Sequence, residues 1–321
     1  KVGDAVEYID PESAELDPSG EQLITYEGMS GLDRIAAPGP YSTEGSISTP
    51  VDTNAFGWFL KWLLGGYEVK SASGSQYKHR FYPAMNALLD TFTARVGKDY
   101  FEHVFSAVAI DKMEISLEDS FLTASIDTKG GKDSKSSLKE SVTFTDGNVF
   151  APHQVTMEMG NKDVSAEVTK FTLSIENSAD NDNSRSIGSR FPKYVLRGGC
   201  AVSLDLTFIF KGSEHLEAFW DTADGPTSAG RVSSHDAVIH VGDDMDIILP
   251  RVLYNSVGQP ASGRDPIEQT ATLKALMTED GASGPIEFEL TNDKSSYNPD
   301  DDGSDDTGGD DTGKEGGTNN G

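Results

Sequence analysis

Gly45-Ser46-Ile47-Ser48-Thr49-Pro50-Val51-Asp52-Thr53-Asn54 reads as a strand broken by Pro50 and followed at once by a helix over 53–64. Proline ends the strand because it has no amide to donate. Asp52 or Thr53 offers a side-chain oxygen to cap the helix, and Gly65 offers the left-handed stop. Phe56, Phe59, Leu60 and Leu63 recur at i, i+3, i+4 and i+7, so they share one helical face. Trp58 and Trp62 fall on another. Two apolar faces leave two alternatives: the helix is wrapped on both sides by its own chain, or a neighbouring subunit covers the tryptophans. Leu64-Gly65-Gly66 closes the segment, and Tyr77-Lys78-His79-Arg80-Phe81-Tyr82-Pro83 follows.

Beyond this stretch, four segments alternate between apolar and polar residues, the pattern of strands with one face buried. Met113, Ile115 and Leu117 alternate with Glu114, Ser116 and Glu118. Leu122, Ala124 and Ile126 alternate with Thr123, Ser125 and Asp127, and Asp119-Ser120 joins these two as a hairpin. Phe171, Leu173 and Ile175 alternate with Lys170, Thr172, Ser174 and Glu176. Leu204, Leu206, Phe208 and Phe210 alternate with Ser203, Asp205, Thr207 and Lys211, Ile209 breaking the pattern. Further strands are expected at 155–159, 237–241, 246–254, 271–277 and 286–291. A second helix is expected from Ser213 to Asp221, with Leu216, Phe219 and Trp220 on its core side. The fold class is therefore mainly β, with a flanking helix. Residues 1–44 read as an extended arm and 45–292 as the β domain, with loops at 129–139 and 177–190. Residues 293–321 read as an acidic Asp/Gly-rich tail of disordered composition.

Charge narrows the function classes. The 321 residues carry 53 acids against 26 bases, a net charge of −27. Residues 293–321 hold nine acids and two lysines, −7, so the body still carries −20. Phosphate binding needs Lys and Arg that displace counterions, and this balance excludes the usual nucleic-acid grip. Such a surface repels itself at low salt. At about 1 M salt the Debye length is roughly 3 Å and the repulsion is screened, so a halophilic source is the simplest reading, with an ordinary acidic mesophilic protein as the alternative. Cys200 is the only cysteine, so no intrachain disulfide forms, and its apolar neighbours imply a buried small residue. The polar start, Lys1-Val2-Gly3-Asp4, gives no signal-peptide pattern, and without an initiator Met the chain is expected to be processed or trimmed. The longest mostly apolar run, Ala55 to Leu64, is too short to span a membrane.

Chemical motifs are absent or fail on spacing. His235 and His240 lie five apart on an expected strand, so they face opposite sides, and no pair has helical ligand spacing; no metal site is expected, and polar or surface positions account for the histidines. Asp300, Asp301, Asp302, Asp305 and Asp306 match no EF-hand register, leaving only weak binding of hard cations. Ser136-Ser137-Leu138-Lys139 matches the acyl-enzyme S-x-x-K, but no S-D-N or K-T-G accompanies it. Glu114 and Glu118 imitate a glycosidase pair in a chain crowded with acids. No cofactor and no catalysis are expected.

Taken in order, four blocks resemble the tail tube proteins of long-tailed phages and archaeal viruses. They are Gly45–Gly65 with Tyr77–Pro83, the hairpin Val108–Thr128, the run Phe191–Trp220 through Gly198-Gly199, and Met245-Asp246-Ile247-Ile248-Leu249-Pro250-Arg251-Val252 with Gln269–Met277 and Ile286–Asn292. The likeness covers roughly residues 28–292; the arm before it, the 177–190 loop and the acidic tail depart from the pattern. The resemblance implies a β-sandwich whose long strands join an inter-subunit barrel. It implies hexameric rings stacked into a hollow tube, with arms and loops locking one ring to the next. Tail terminator, tape measure and baseplate proteins would be partners, and double-stranded DNA would pass through without specific binding. Under that resemblance the polar sides of the four alternating segments are lumen candidates, and Trp58 and Trp62 are subunit-interface candidates. Glu114, Glu118, Asp127, Glu176 and Asp205 against Lys170 and Lys211 give −3 per chain and −18 for six. The competing expectations are another virion component (tail terminator, baseplate hub or capsid decoration protein) and a halophilic secreted hydrolase.

Overall fold

The computed structural model describes residues 7–298, apart from 21–22, 28, 30, 85–87, 140, 146, 228–232 and 261–267. Its first part comprises β1 (Ser13–Ser19), β2 (Leu23–Glu27), β3 (Asp33–Pro38), β4 (Ser42–Pro50), α1 (Phe56–Leu64), β5 (Gly65–Ser73), β6 (Gln76–Pro83), β7 (Phe92–Gly97), β8 (Glu102–Leu117), β9 (Thr123–Gly130) and β10 (Lys132–Ser136). The second part comprises β11 (Val155–Met159), β12 (Lys162–Asp163), β13 (Val168–Glu176), β14 (Ala201–Ile209), α2 (Glu214–Trp220), β15 (His235–Val241), β16 (Met245–Gly258), β17 (Glu268–Ala275) and β18 (Glu287–Asn292). The chain is mainly β, as its alternation requires, and the named strands pair antiparallel throughout.

Two long strands each serve two sheets. In β8, residues 102–108 pair with β7 and β10, whereas 109–117 pair with β9 and β13. The switch falls at Ala107, whose φ of +55° turns the strand in a left-handed conformation. In β16, residues 245–248 lie between β15 and β18, and those from Val252 onward pair with β17, after which a bulge follows Tyr254. The result is one broad sheet ordered β1-β4-β9-β8-β13-β14-β17-β16 and a second ordered β12-β11-β15-β16-β18-β6-β5. A small sheet, β7-β8-β10, extends beyond one end of the first. Among the described residues the hairpin β2–β3 forms its own two-stranded sheet, apart from the large ones.

The apolar sides of both large sheets and of α1 share one core. Helix α1 packs on β8, β5 and β6. It begins at Phe56 rather than 53 because Asp52 Oδ1 first accepts the amides of Asn54 and Ala55, at 2.7 and 2.6 Å, building a turn ahead of the helix. Gly65 ends it with φ +82°.

Four sequence expectations change. The 129–139 loop contains β10, whose Lys132–Ser136 pair with Ser106–Glu102 of β8. Helix α2 has no buried residue; the side chain it lays on the core is His215, stacked on Phe208 at 3.9 Å, rather than Leu216, Phe219 and Trp220. Phe210 lies past the end of β14 and is exposed. The domain also outruns residue 292, because Tyr297 is fully buried against α1. Its Oη donates to Asn54 O and accepts from Asn292 Nδ2, both at 2.6 Å.

Candidate functional surface

The four alternating segments become neighbours. Strands β9, β8, β13 and β14 lie side by side, and antiparallel register places their polar residues in rows across one face. Ser116 pairs with Thr123 and Thr172; Thr172 pairs with Asp205, and Asp205 with Thr272. The next row runs Ser125, Glu114, Ser174, Ser203, Lys274. A third runs Asp127, Lys112, Glu176. The opposite sides of these strands, including Ile115, Ile126, Leu173 and Leu204, are buried.

Two of the proposed face residues differ from the rest. Thr207 keeps its place in the row, between Lys170 and Thr270, but is buried there. Lys211 lies beyond β14 and reaches Glu167 at 3.5 Å. Two lysines that the sequence reading passed over join instead. Lys274 comes from β17, whose Glu268–Ala275 alternation carried the signal, and Lys112 sits one bulge away from the run beginning at Met113. The face thus holds Glu114, Glu118, Asp127, Glu176 and Asp205 against Lys112, Lys170 and Lys274, −2 per chain rather than −3. Beside this face, the β1–β4 edge carries Glu15 and Glu44, which that sum does not include.

The charges are locally balanced. Lys112 pairs with Glu114 at 2.7 Å, a bond that holds its ammonium above the ordinary lysine range. Lys170 meets Glu118 at 3.4 Å, and Thr272 Oγ1 donates to Asp205 Oδ1 at 2.5 Å. Asp127 is raised above the usual carboxylate range by partial burial, with Glu114 and Asp111 adding to the effect and Lys112 opposing it. Exposed pairs of this kind contribute about 0–1 kcal/mol each, so they shape the surface more than they stabilise it. The second sheet is different: Arg80 bridges Glu287 and Glu68, and Glu289 takes both Lys70 and Lys78.

The tryptophans resolve between the two alternatives. Trp58 is buried by its own chain, so the interface role for it is corrected. Its Nε1 donates to Glu7 Oε2 at 3.0 Å, Tyr297 packs edge-on at 5.4 Å, and the Lys294 ammonium sits over its ring at 5.3 Å. Lys294 also pairs with Glu7, so both ends of the domain meet over α1. Trp62 is half-buried, stacked on Phe92 at 4.2 Å. Asp300, Asp301, Asp302, Asp305 and Asp306 lie outside the described residues. Among the described residues no cluster of three or more His, Cys, Asp or Glu is placed to hold a metal.

The histidines split by environment. His79 is fully buried, in a polar setting rather than at the surface. Its Nε2 faces two acceptors, Lys294 O at 2.9 Å and Asn292 Oδ1 at 3.1 Å, so that nitrogen carries the proton and Nδ1 accepts from Tyr67 Oη at 2.9 Å. Burial pushes its pKa below the ordinary histidine range. No spacing rule marks such a residue; only the convergence of β5, β6 and the segment after β18 does. Cys200 is half-buried, and burial raises its thiol pKa.

Among the described residues no helix is long and apolar enough to cross a membrane. No curated protein matches the chain. The family of phage tail tube proteins matches residues 34–275, three quarters of the sequence and nearly all of the two large sheets. The chain belongs to the phage tail tube protein family and is a structural component of the virion tail.

Proposed function

We propose that this chain is the major tail tube subunit, that six copies close into a ring, and that rings stack into a hollow tube through which the genome passes to the host. The observation that carries this reading is the shared polar face of β9, β8, β13 and β14, which would line the channel through Glu114, Ser116, Thr123, Ser125, Asp127, Lys170, Thr172, Ser174, Ser203 and Asp205. Carboxylates outnumber lysines on this face, and Lys112 and Lys170 are already paired with Glu114 and Glu118. At −2 per chain a six-membered ring presents −12 to a polyanion, so double-stranded DNA slides without the counterion release that binding requires. Tail terminator, tape measure and baseplate proteins are the partners of such a tube.

Ring closure would also cover open sheet edges, an aggregation hazard in a free chain. Edge strand β1 carries Glu15, Asp17 and Pro18, which discourage indiscriminate pairing, while the C-terminal half of β16 offers its outer edge for a neighbour. The acid excess supports a virus of a halophilic archaeon, where salt screens the repulsion between copies.

Negative-stain microscopy of the purified chain across a salt series tests the reading. Hollow, ring-stacked rods at high salt are expected. A chain that stays monomeric at every ionic strength refutes it, and a cryo-EM map with Glu114 and Asp205 on the outside of the rod refutes the channel assignment.

A further inference from the structure

The broad sheet ends on a strand that its own charges push away. Strand β1 pairs with β4 alone, Ser13–Ser19 against Ser48–Ser42. Of its residues only Leu16 is buried; it reaches the shared core, with Ala14 packed half-buried beside it. Pro18 has no amide for the ladder. Gly45 lets the strand come close, since a Cβ there would stand 1.9 Å from Glu15 O. A backbone ladder and one leucine therefore hold β1 in place.

Against them stand carboxylates. Asp17 lies directly opposite Glu44, and Glu15 lies opposite Ser46, which pairs in turn with Asp127. Like charges directly across an antiparallel pair destabilise it. Glu15, Asp17 and Glu44 are exposed, and among the described residues no lysine or arginine forms an ion pair with them. Lys129 stands opposite Glu44 on β9, but its ammonium goes to Asp111 at 2.9 Å and to Ala179 O at 2.7 Å. Farther along the face Glu114 and Glu118 have lysines at 2.7 and 3.4 Å, so the imbalance is concentrated on β1 and β4. Distance decides when the repulsion acts. Asp17 and Glu44 face each other across one strand spacing, about 5 Å, and Glu15 and Asp17 stand two residues apart, about 7 Å. The Debye length is about 10 Å at 0.1 M salt and about 3 Å at 1 M. Both separations lie inside the first and outside the second, so these carboxylates repel in dilute buffer and are screened in concentrated salt.

The chain is fixed on either side of β1. Before it, Glu7 accepts from Trp58 Nε1 and pairs with Lys294, and Thr145 N donates to Tyr8 O at 2.8 Å. After it, Tyr41 N donates to Arg190 O at 2.9 Å. An opening confined to β1 breaks neither anchor. We propose that β1 is a salt-sensitive strap: it lies on β4 in molar salt and lifts away in dilute buffer, uncovering the edge of β4 while the rest of the two large sheets stays folded. The opening is a local event of the single chain. It goes beyond the assembly reading and is tested without rods.

The test is hydrogen exchange of the full chain, read by mass spectrometry on peptides spanning residues 13–19 and 42–48. It is run in KCl at about 0.1 M and about 1 M, at a dilution where light scattering shows single chains in both. At the lower salt these peptides are expected to exchange about tenfold faster or more, while peptides from β13 and β14 change little. A Glu15→Gln/Asp17→Asn/Glu44→Gln variant, changed only at exposed positions, is expected to keep β1 protected at the lower salt. Three results overturn the inference: β1 exchanging equally at both salts, β1 opening only together with β13 and β14, or the variant opening at low salt as the parent does. Each of them leaves the tube reading standing.

Discussion

Replacing Tyr297 by alanine tests whether the segment after β18 is part of the fold. The ring is fully buried among Trp58, Tyr67, His79 and Phe81, at centroid distances of 5.4, 6.1, 5.0 and 5.6 Å. Removing a buried aromatic side chain of this size costs about 3–5 kcal/mol in transfer energy and cavity together. Its hydroxyl bridges Asn292 Nδ2 and Asn54 O, so Tyr297→Phe alone, which leaves those groups short of a partner, costs about 1–3 kcal/mol. For domains of 150–250 residues, one kcal/mol moves the melting temperature about 2–4 °C, so about 4 kcal/mol lowers it by about 8–16 °C. The assay is thermal and urea unfolding of four proteins at fixed high salt: the parent, Tyr297→Ala, a chain ending at Asn298 and a chain ending at Asn292. The chain ending at Asn298 should match the parent, and the one ending at Asn292 should fall at least as far as Tyr297→Ala. If the chain ending at Asn292 unfolds within a degree or two of the parent, the segment is a passive tail and the reasoning fails.

Gly57→Ala places a Cβ 2.3 Å from Tyr297 Cζ, so a loss of about 1–3 kcal/mol is expected, and the double variant with Tyr297→Ala should lose less than the sum in a double-mutant cycle. Because His79 is held neutral with its pKa below the ordinary histidine value, the unfolded chain binds the extra proton first. Stability is therefore full above about pH 6.5 and falls as pH drops below it, by at most about 1.4 kcal/mol per unit, and urea midpoints between pH 8 and 5 should flatten in His79→Gln. Glu176→Lys with Asp205→Lys changes the counted face from −2 to +2 per chain, so rods assembled and chemically cross-linked at high salt should retain duplex DNA on a filter once moved to low salt and release it as salt rises; rods that retain none would contradict the channel assignment. Trp58→Asp should unfold the chain itself, since Trp58 is buried among its own residues, and a variant that folds normally but fails to assemble would restore the interface role.

The sequence by itself determined the strands whose period is local. Ile115, Ile126, Leu173 and Leu204 alternate with polar residues, and a strand needs nothing beyond that parity to divide its two faces. It also determined the strand, proline break and helix from Ser46 to Leu64, because Pro50, Asp52 and Gly65 act on the backbone within a few residues. Only the tertiary structure decided which strands stand together, that β8 and β16 each turn from one sheet into another, and that Lys112 and Lys274 enter the polar face while Thr207 is covered on it and Lys211 leaves it. It alone decided that Tyr297, 240 positions from Gly57, closes the core beside Trp58 and His79. Periodicity reports how a residue faces its own strand or helix; which remote side chain meets it depends on how the chain returns, and that is set by the packing of the whole core.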